Sequence, residues 1–203
     1  MTPRGRVRLT PGSLIVLEGL DKSGKSTQVQ RLRSLLWNQP RPVFAHMPSG
    51  LTTLTNEIYR LTEKEPISSP LARQLLHLAC HAENMAALVD ARRDAGVVLD
   101  RWWWSTVAYG WYGRNLKTEG VGEAAFLGMI DSVWSRQLAD VVLLFLTPHE
   151  HDALNRDAVR EGYAHLAAQH AEITIEVPPG DRQSTTDFLV ARLAERGLLL
   201  QGH

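Results

Sequence analysis

A lysine and two hydroxyl side chains lie in a glycine-rich stretch near the start of the sequence. Residues 19–26 read G-L-D-K-S-G-K-S and match G-x-x-x-x-G-K-[ST]; the strand pattern before them and the helix pattern after them disfavour an accidental turn. The glycines let the chain curl so that backbone N–H groups face a phosphate chain, and the following helix adds its positive dipole end. Lys25 would reach the terminal phosphates, and the Ser26 hydroxyl would hold Mg²⁺. We predict phosphate or metal binding by Gly19, Ser23, Gly24, Lys25, Ser26 and Thr27.

An acid and an arginine follow a second apolar run, in the segment GVVLDRWWWSTVAYGWYG. Asp100 falls at the predicted carboxyl end of a strand, the edge at which open α/β sheets bind ligands. Its carboxylate would hold the metal through water or orient an acceptor hydroxyl, and Arg101 would bind an anion. A surface ion pair or a helix cap is the alternative, which the neighbouring phosphate loop makes the weaker one. The tryptophans at 102–104 cannot all face one side of an element, so we expect at least one to be half-exposed.

These residues need a scaffold, and the sequence alternates strand-like and helix-like segments. Helical patterns separate the strand-like runs, and the arrangement predicts a doubly wound, five-stranded parallel α/β sheet. The predicted strands are 13–19, 42–48, 96–100, 140–146 and 172–177. The predicted helices are 27–39, 52–63, 70–93, 121–138 and 185–197. We expect one domain over 13–200, preceded by a basic extension over 1–12 that carries Arg4, Arg6 and Arg8. We interpret this extension as a short frayed terminus.

Composition narrows the class of protein. The 203 residues include 22 Lys and Arg and 22 Asp and Glu, so no overall charge favours nucleic acid or membrane. The single cysteine, Cys80, excludes an internal disulfide and suits a reducing compartment. No apolar run reaches the length of a membrane span, and the N-terminus lacks the apolar core of a signal peptide. We therefore expect a soluble, cytoplasmic chain.

Taken together, the segments VLEGLDKSGKSTQ and LDRWWWSTVAYG resemble the thymidylate kinase family of P-loop nucleoside monophosphate kinases. The similarity runs from about residue 13 to 146, and more weakly to about 196. It implies ATP and Mg²⁺ as donor and metal, phosphoryl transfer to a deoxynucleoside monophosphate, and a homodimer, because relatives pair through helices.

The resemblance also implies a role for individual residues. Asp21 resembles the acid that contacts the acceptor's sugar, and Lys22 occupies the place of a loop cation that stabilises the transferring phosphoryl group. Asp100 and Arg101 match the pair beside the metal and the acceptor phosphate. The S-x-x-A-Y continuation, with its tyrosine near the nucleoside, is matched by Ser105, Ala108 and Tyr109. We accordingly assign catalysis to Lys22, Lys25, Asp100 and Arg101.

The lid of the family is short in this sequence. Many relatives carry a mobile, arginine-rich lid after the fourth strand. In this sequence the corresponding residues 147–170 contain two arginines, Arg156 and Arg160. We assign Arg156, and Asp21 within the loop, to nucleotide binding as well. A cation inside the phosphate loop lowers the need for lid arginines, so the short lid and Lys22 agree.

The acceptor side departs from the family pattern. Pro48 is kept after the second strand, but no arginine lies between 41 and 60, and His46 is the nearest ionisable substitute. Where the family presents a phenylalanine and an arginine to thymine, this chain has His77 and His81, with Glu83 retained. The acceptor residues we predict are Asp21, Pro48, His77, His81, Arg101, Ser105 and Tyr109.

Two other functions stay open on the sequence. A kinase of this fold whose acceptor is a hydroxyl, on a nucleoside or on a hydroxymethylated pyrimidine in DNA, would suit an open site with exposed tryptophans. The neutral net charge counts against DNA. The other is a nucleotide-binding regulator without catalytic activity. The intact loop and Asp100 disfavour it, and an ATP consumption assay would distinguish it from the two enzymes.

Overall fold

The computed structural model describes residues 7–37, 40–113 and 116–201. The strands are β1 (Val7–Leu9), β2 (Leu14–Gly19), β3 (Val43–His46), β4 (Val97–Asp100), β5 (Val141–Phe145), β6 (Thr174–Glu176) and β7 (Leu199–Gln201). The α-helices are α1 (Lys25–Leu35), α2 (Thr53–Lys64), α3 (Pro70–Asp94), α4 (Trp103–Ser105), α5 (Glu123–Trp134), α6 (Asp157–Gln169) and α7 (Arg182–Glu195). A π-helix over Thr106–Tyr112 continues α4, and a 3₁₀ turn follows at Leu116–Glu119.

Five strands form a parallel sheet, as predicted. Their order is β3-β4-β2-β5-β6. β2 lies at the centre, with β4 on one side and β5 on the other. The register sets Leu17 of β2 opposite Asp100 of β4, and Gly19 opposite Phe145 of β5. The carboxyl ends of the three central strands therefore meet where the phosphate loop leaves β2, the crevice in which open α/β sheets bind ligands.

Helices cover both faces of the sheet because every residue of β2, β4 and β5 is buried. The side chains of β2 alternate: Leu14 and Val16 pack with α3, α5, α6 and the π-helix, and Ile15 and Leu17 pack with α1 and α7. Among the described helices, none is both long and apolar enough to cross a membrane.

The N-terminal segment differs from the expected frayed terminus. Val7–Leu9 pairs antiparallel with Leu199–Gln201, and Leu9 is fully buried. Hydrogen bonding and apolar burial hold this strand on the domain, so the fold begins before residue 13. Arg8 is exposed on the strand, and Arg4 and Arg6 lie outside the described residues.

The tryptophan run behaves as expected. Trp102 and Trp104 are buried in the core, whereas Trp103 is half-buried and meets the ring of His170 edge-on at 5.7 Å. Trp102 and Trp104 thus belong to the hydrophobic core, and neither forms an exposed stacking surface.

Candidate active site

The phosphate loop joins β2 to α1, and its backbone depends on glycine. Gly19 has φ 129°, and a Cβ there would lie 2.0 Å from the Phe145 carbonyl oxygen, closer than any side chain permits. Gly24 has φ 95° and precedes the first turn of α1, which leaves the N–H groups of that turn directed at the crevice. Lys22 also adopts a left-handed conformation, with φ 57°.

Lys25 lies folded inside this loop. Its Nζ donates to the carbonyls of Gly19 at 3.0 Å and Leu20 at 2.6 Å, and the residue is 4% exposed. Burial, and then the charge of Arg101, lower the pKa of Lys25 to about 7. A bound anion would favour the charged amine, so the loop is built to receive a negatively charged group.

Ser26 and Asp100 form a pair of oxygen ligands beside the loop. The Ser26 hydroxyl donates to Asp100 Oδ2 at 2.8 Å, and Asp100 ends the buried strand β4. Hydroxyl and carboxylate oxygens suit Mg²⁺, which binds few protein ligands and keeps water and phosphate oxygens for the rest. Among the described residues, no group of three or more His, Cys, Asp or Glu is placed so that it could hold a metal ion.

Arg101 connects the loop to the segment after β4. Its guanidinium forms an ion pair with Asp21 and donates to Ser105 Oγ at 2.8 Å and to the Gly19 carbonyl at 3.2 Å. It also lies over the Tyr109 ring, 5.4 Å from the centroid. Arg101 thus contacts three other predicted residues, which are Asp21, Ser105 and Tyr109.

A buried carboxylate that the sequence analysis did not single out supports this cluster. Glu18 accepts hydrogen bonds from the backbone N–H groups of Trp102 at 2.7 Å and Ser105 at 2.9 Å, and from the Tyr163 hydroxyl at 3.0 Å. Burial raises the pKa of Glu18, and the charge of Arg101 opposes that shift. The sequence could have indicated Glu18, because an acidic residue inside an otherwise apolar strand is buried and requires hydrogen-bond partners.

A cleft of about 780 Å³ opens at this edge of the sheet. Of the predicted residues it is lined by Asp21, Lys22, Ser23, Gly24, Lys25, Ser26, Thr27, Asp100 and Arg101. Its other walls are His46 and Tyr59 on one side, and Thr147, His149, Glu150 and residues 177–182 on the other. We did not predict Tyr59 or residues 177–182 as part of the site, because they belong to no recognisable sequence motif.

Five of the seven predicted acceptor residues do not line the cleft. Ser105 and Tyr109 contact Arg101, which does, and the other three lie elsewhere. His81 is fully buried, with Nε2 3.0 Å from Thr106 Oγ1 and its ring edge-on to Trp134, so its prediction as a base-reading residue is corrected. His77 is half-buried, and its ring lies 6.3 Å from that of Tyr59. The Pro48 carbonyl accepts from Asn84 Nδ2 at 3.1 Å, which fixes the turn after β3.

Arg156 also lies elsewhere than predicted. It precedes the first turn of α6, and its Nη1 donates to the Gly113 carbonyl at 3.3 Å beside a separate cavity of about 140 Å³. Arg160 donates to the Leu146 carbonyl at 2.7 Å. Because α6 begins directly after the short segment, both arginines are directed at backbone carbonyls outside the cleft. Lys22, in contrast, lines the cleft together with Lys25 and Arg101.

Asn155 contacts the loop and was not predicted. Its Oδ1 accepts from the Asp21 N–H at 2.8 Å and from the Tyr109 hydroxyl at 3.0 Å, and its Nδ2 donates to the Asp21 carbonyl at 2.8 Å. An asparagine between a strand and a helix reads as a turn residue, so the sequence carried no signal for this contact.

Comparison with known sequences agrees with the geometry. A sequence model of the thymidylate kinase family matches residues 17–157. The thymidylate kinase of Chlorobaculum tepidum is 35% identical over 146 residues, which cover 70% of this chain and 65% of that protein. The thymidylate kinase of Prosthecochloris aestuarii is 34% identical over 222 aligned positions, covering 92% of this chain and 96% of that protein.

Comparison with solved structures gives the same fold. The thymidylate kinase of Ehrlichia chaffeensis superposes with a TM-score of 0.75 at 21% sequence identity. The alignment covers 91% of this chain and 100% of the Ehrlichia chain. The thymidylate kinase of Candida albicans gives a TM-score of 0.66, also at 21% identity, over 97% of this chain and 96% of that one.

Proposed function

This chain belongs to the thymidylate kinase family, and on that premise we propose that it transfers the terminal phosphoryl group of ATP to a deoxynucleoside monophosphate. One observation carries the proposal: a single cleft brings together the phosphate loop, the Ser26–Asp100 pair and Arg101. The relatives' name makes thymidylate the first acceptor to test.

The protein's part in such a transfer is positioning and charge, because phosphoryl transfer needs little covalent chemistry from the enzyme. The N–H groups of the loop and of the first turn of α1 bind the donor phosphates. Lys22, Lys25 and Arg101 surround the path of the transferring group and stabilise the charge that develops on it.

Ser26 and Asp100 are the residues that would hold Mg²⁺. When bound, the metal would supply positive charge that neutralises the donor's phosphate oxygens. The bond between the Ser26 hydroxyl and Asp100 Oδ2 keeps the two oxygens 2.8 Å apart, at the mouth of the phosphate loop.

We place the acceptor at the end of the cleft lined by His46 and Tyr59. Their rings meet edge-on at 5.3 Å, and His46 Nδ1 lies 3.0 Å from Ser49 Oγ, so both side chains are held in place. Arg101 faces the same space and would bind the acceptor phosphate. His46 would take the position of the family's missing arginine.

The two alternatives are less well supported. Family membership favours a monophosphate over a hydroxyl acceptor, and the assembled cleft favours an enzyme over a regulator without catalysis. A DNA acceptor, a homodimer and a cytoplasmic location stay predictions.

A transfer screen tests the function. The protein, ATP and Mg²⁺ are incubated with deoxynucleoside monophosphates, with nucleosides and with oligonucleotides that carry hydroxymethylated pyrimidines, and products are identified by mass. We expect ADP and a nucleoside diphosphate, and neither from Lys25→Ala. If only a nucleoside or an oligonucleotide is phosphorylated, the protein is a kinase with a hydroxyl acceptor. If ATP binds but no ADP forms, the protein is a regulator without catalytic activity.

A further inference from the structure

The segment between β5 and α6, residues 147–156, lies directly against the phosphate loop. The His149 N–H donates to the Lys22 carbonyl at 2.9 Å. The Lys22 side chain reaches back to the same segment, with Nζ 3.4 Å from the His151 carbonyl oxygen and 3.7 Å from Glu150 Oε2. Both contacts of the Lys22 amine are exposed to solvent, so they add little to the stability of this arrangement. The backbone hydrogen bond from His149 is the stronger link.

The most specific contact in this segment is the Asn155 amide. It pairs with both polar groups of the Asp21 backbone, accepting from the N–H at 2.8 Å and donating to the carbonyl at 2.8 Å. Only one orientation of the amide satisfies both bonds. The Tyr109 hydroxyl closes the arrangement, because it lies 2.9 Å from the Asp21 nitrogen and donates to Asn155 Oδ1 at 3.0 Å.

These bonds bracket a strained residue. Lys22 has φ 57°, in the left-handed region that residues with a Cβ atom rarely adopt. The carbonyl before it, on Asp21, is held by Asn155, and its own carbonyl is held by His149. Both peptide groups that set the direction of the Lys22 side chain are thus fixed by the segment 147–156.

We propose that Asn155 is a positioning residue for phosphoryl transfer, which holds the Asp21–Lys22 backbone so that the Lys22 amine faces the transferring group. The inference rests on the proposed function. A residue that acts through Lys22 loses its effect on turnover when Lys22 is absent, whereas a residue that only stabilises the fold has the same effect in both backgrounds.

A double-mutant cycle in the full chain tests the inference. Asn155→Ala should lower kcat about 30-fold and change the ATP KM less than about threefold, because charge stabilisation is lost and donor binding is kept. In the Lys22→Ala background the same substitution should cost less than about threefold. Asn56→Ala is the matched control, since the Asn56 amide donates to the Thr52 carbonyl within its own helix, and its kcat should equal the wild-type value.

Hydrogen exchange supplies a readout that does not need turnover. The Asp21 amide should exchange at least tenfold faster in Asn155→Ala than in the wild type, with the thermal midpoint of both measured alongside. An equal loss of kcat in both backgrounds, or unchanged Asp21 exchange, would overturn the inference. If the wild-type chain transfers no phosphoryl group to any acceptor, the proposed function fails, and unchanged exchange would overturn the positioning separately.

Discussion

The Ser26 hydroxyl and the Asp100 carboxylate share a hydrogen bond of 2.8 Å that joins the start of α1 to the end of β4. These residues are 74 positions apart in sequence. The parallel register between β2 and β4 brings them together, because Leu17 and Asp100 are paired and the loop leaves β2 beside that pair. The metal site therefore depends on the sheet as much as on the loop.

Ser26→Ala should weaken Mg²⁺ binding and so raise the Mg²⁺ concentration that turnover requires. Removing one of two oxygen ligands is expected to raise the Mg²⁺ concentration for half-maximal turnover about tenfold, and Asp100→Asn should raise it further because a charge is lost. Turnover titrated against free Mg²⁺ measures the effect. Ser34→Ala is the control, since Ser34 is exposed on the same helix and donates to the Gln30 carbonyl. An unchanged Mg²⁺ requirement in Ser26→Ala would move the metal elsewhere.

Lys25→Met should remove nearly all turnover. The substitution keeps the length of the buried side chain and removes its charge, which is expected to lower kcat by at least about 100-fold. Circular dichroism and the thermal midpoint check that the chain still folds. More than about a tenth of the wild-type kcat in a folded variant would contradict the assignment of the phosphate loop.

Lys22 should matter more than the two arginines of α6. Lys22 lines the cleft, whereas Arg156 and Arg160 bond backbone carbonyls outside it. Lys22→Ala is expected to lower kcat by about two to three powers of ten with little change in ATP affinity, and Arg156→Ala and Arg160→Ala by less than about threefold. Parallel kcat and KM measurements on the three variants decide the order. A larger loss in either arginine variant would show that the short segment closes over the phosphates after all.

The phosphate loop and the Asp100–Arg101 pair were predictable from sequence because local patterns fix them. Glycines set the curl of residues 19–26, and a buried strand that ends in an acid sets the position of Asp100. The parallel sheet followed from apolar runs of strand length separated by helical patterns. In each case the residues that determine the geometry are neighbours in the chain.

The rest of the site depends on contacts between distant segments. Asn155 and Asp21 are 134 positions apart, and nothing in the local sequence of either one indicates the other. The prediction for His81 was wrong for a different reason. It was based on the residue's place in the family pattern and did not consider which face of α3 packs on the core. Buried positions of α3 include Gln74, Leu78, His81 and Leu88, a spacing that forms one stripe facing the core. His77, three positions after Gln74 and four before His81, lies at the edge of the same face and is half-buried.

The burial of His81 predicts a specific loss of stability in acid. Burial, and then the nearby His77 and His46, lower the pKa of His81 to about 3, against an ordinary 6.5. The unfolded chain binds a proton at His81 below about pH 6.5 and the folded chain does not, so the neutral side chain stabilises the fold above that pH. The contribution is lost as the pH falls toward about 3, by about 2 kcal/mol between pH 7.5 and pH 5.

His81→Gln isolates this contribution, because glutamine does not titrate and its amide is able to bond the Thr106 hydroxyl as His81 does. The free energy of unfolding, measured in urea at pH 7.5 and pH 5, should fall by about 2 kcal/mol less in the variant than in the wild type. The comparison cancels the carboxylates, which titrate alike in both proteins. At pH 7.5 the KM for the acceptor should stay within about threefold of the wild-type value, because the side chain lies in the core and away from the cleft. An equal loss of stability in both proteins, together with a tenfold rise in that KM, would instead place His81 in contact with the acceptor.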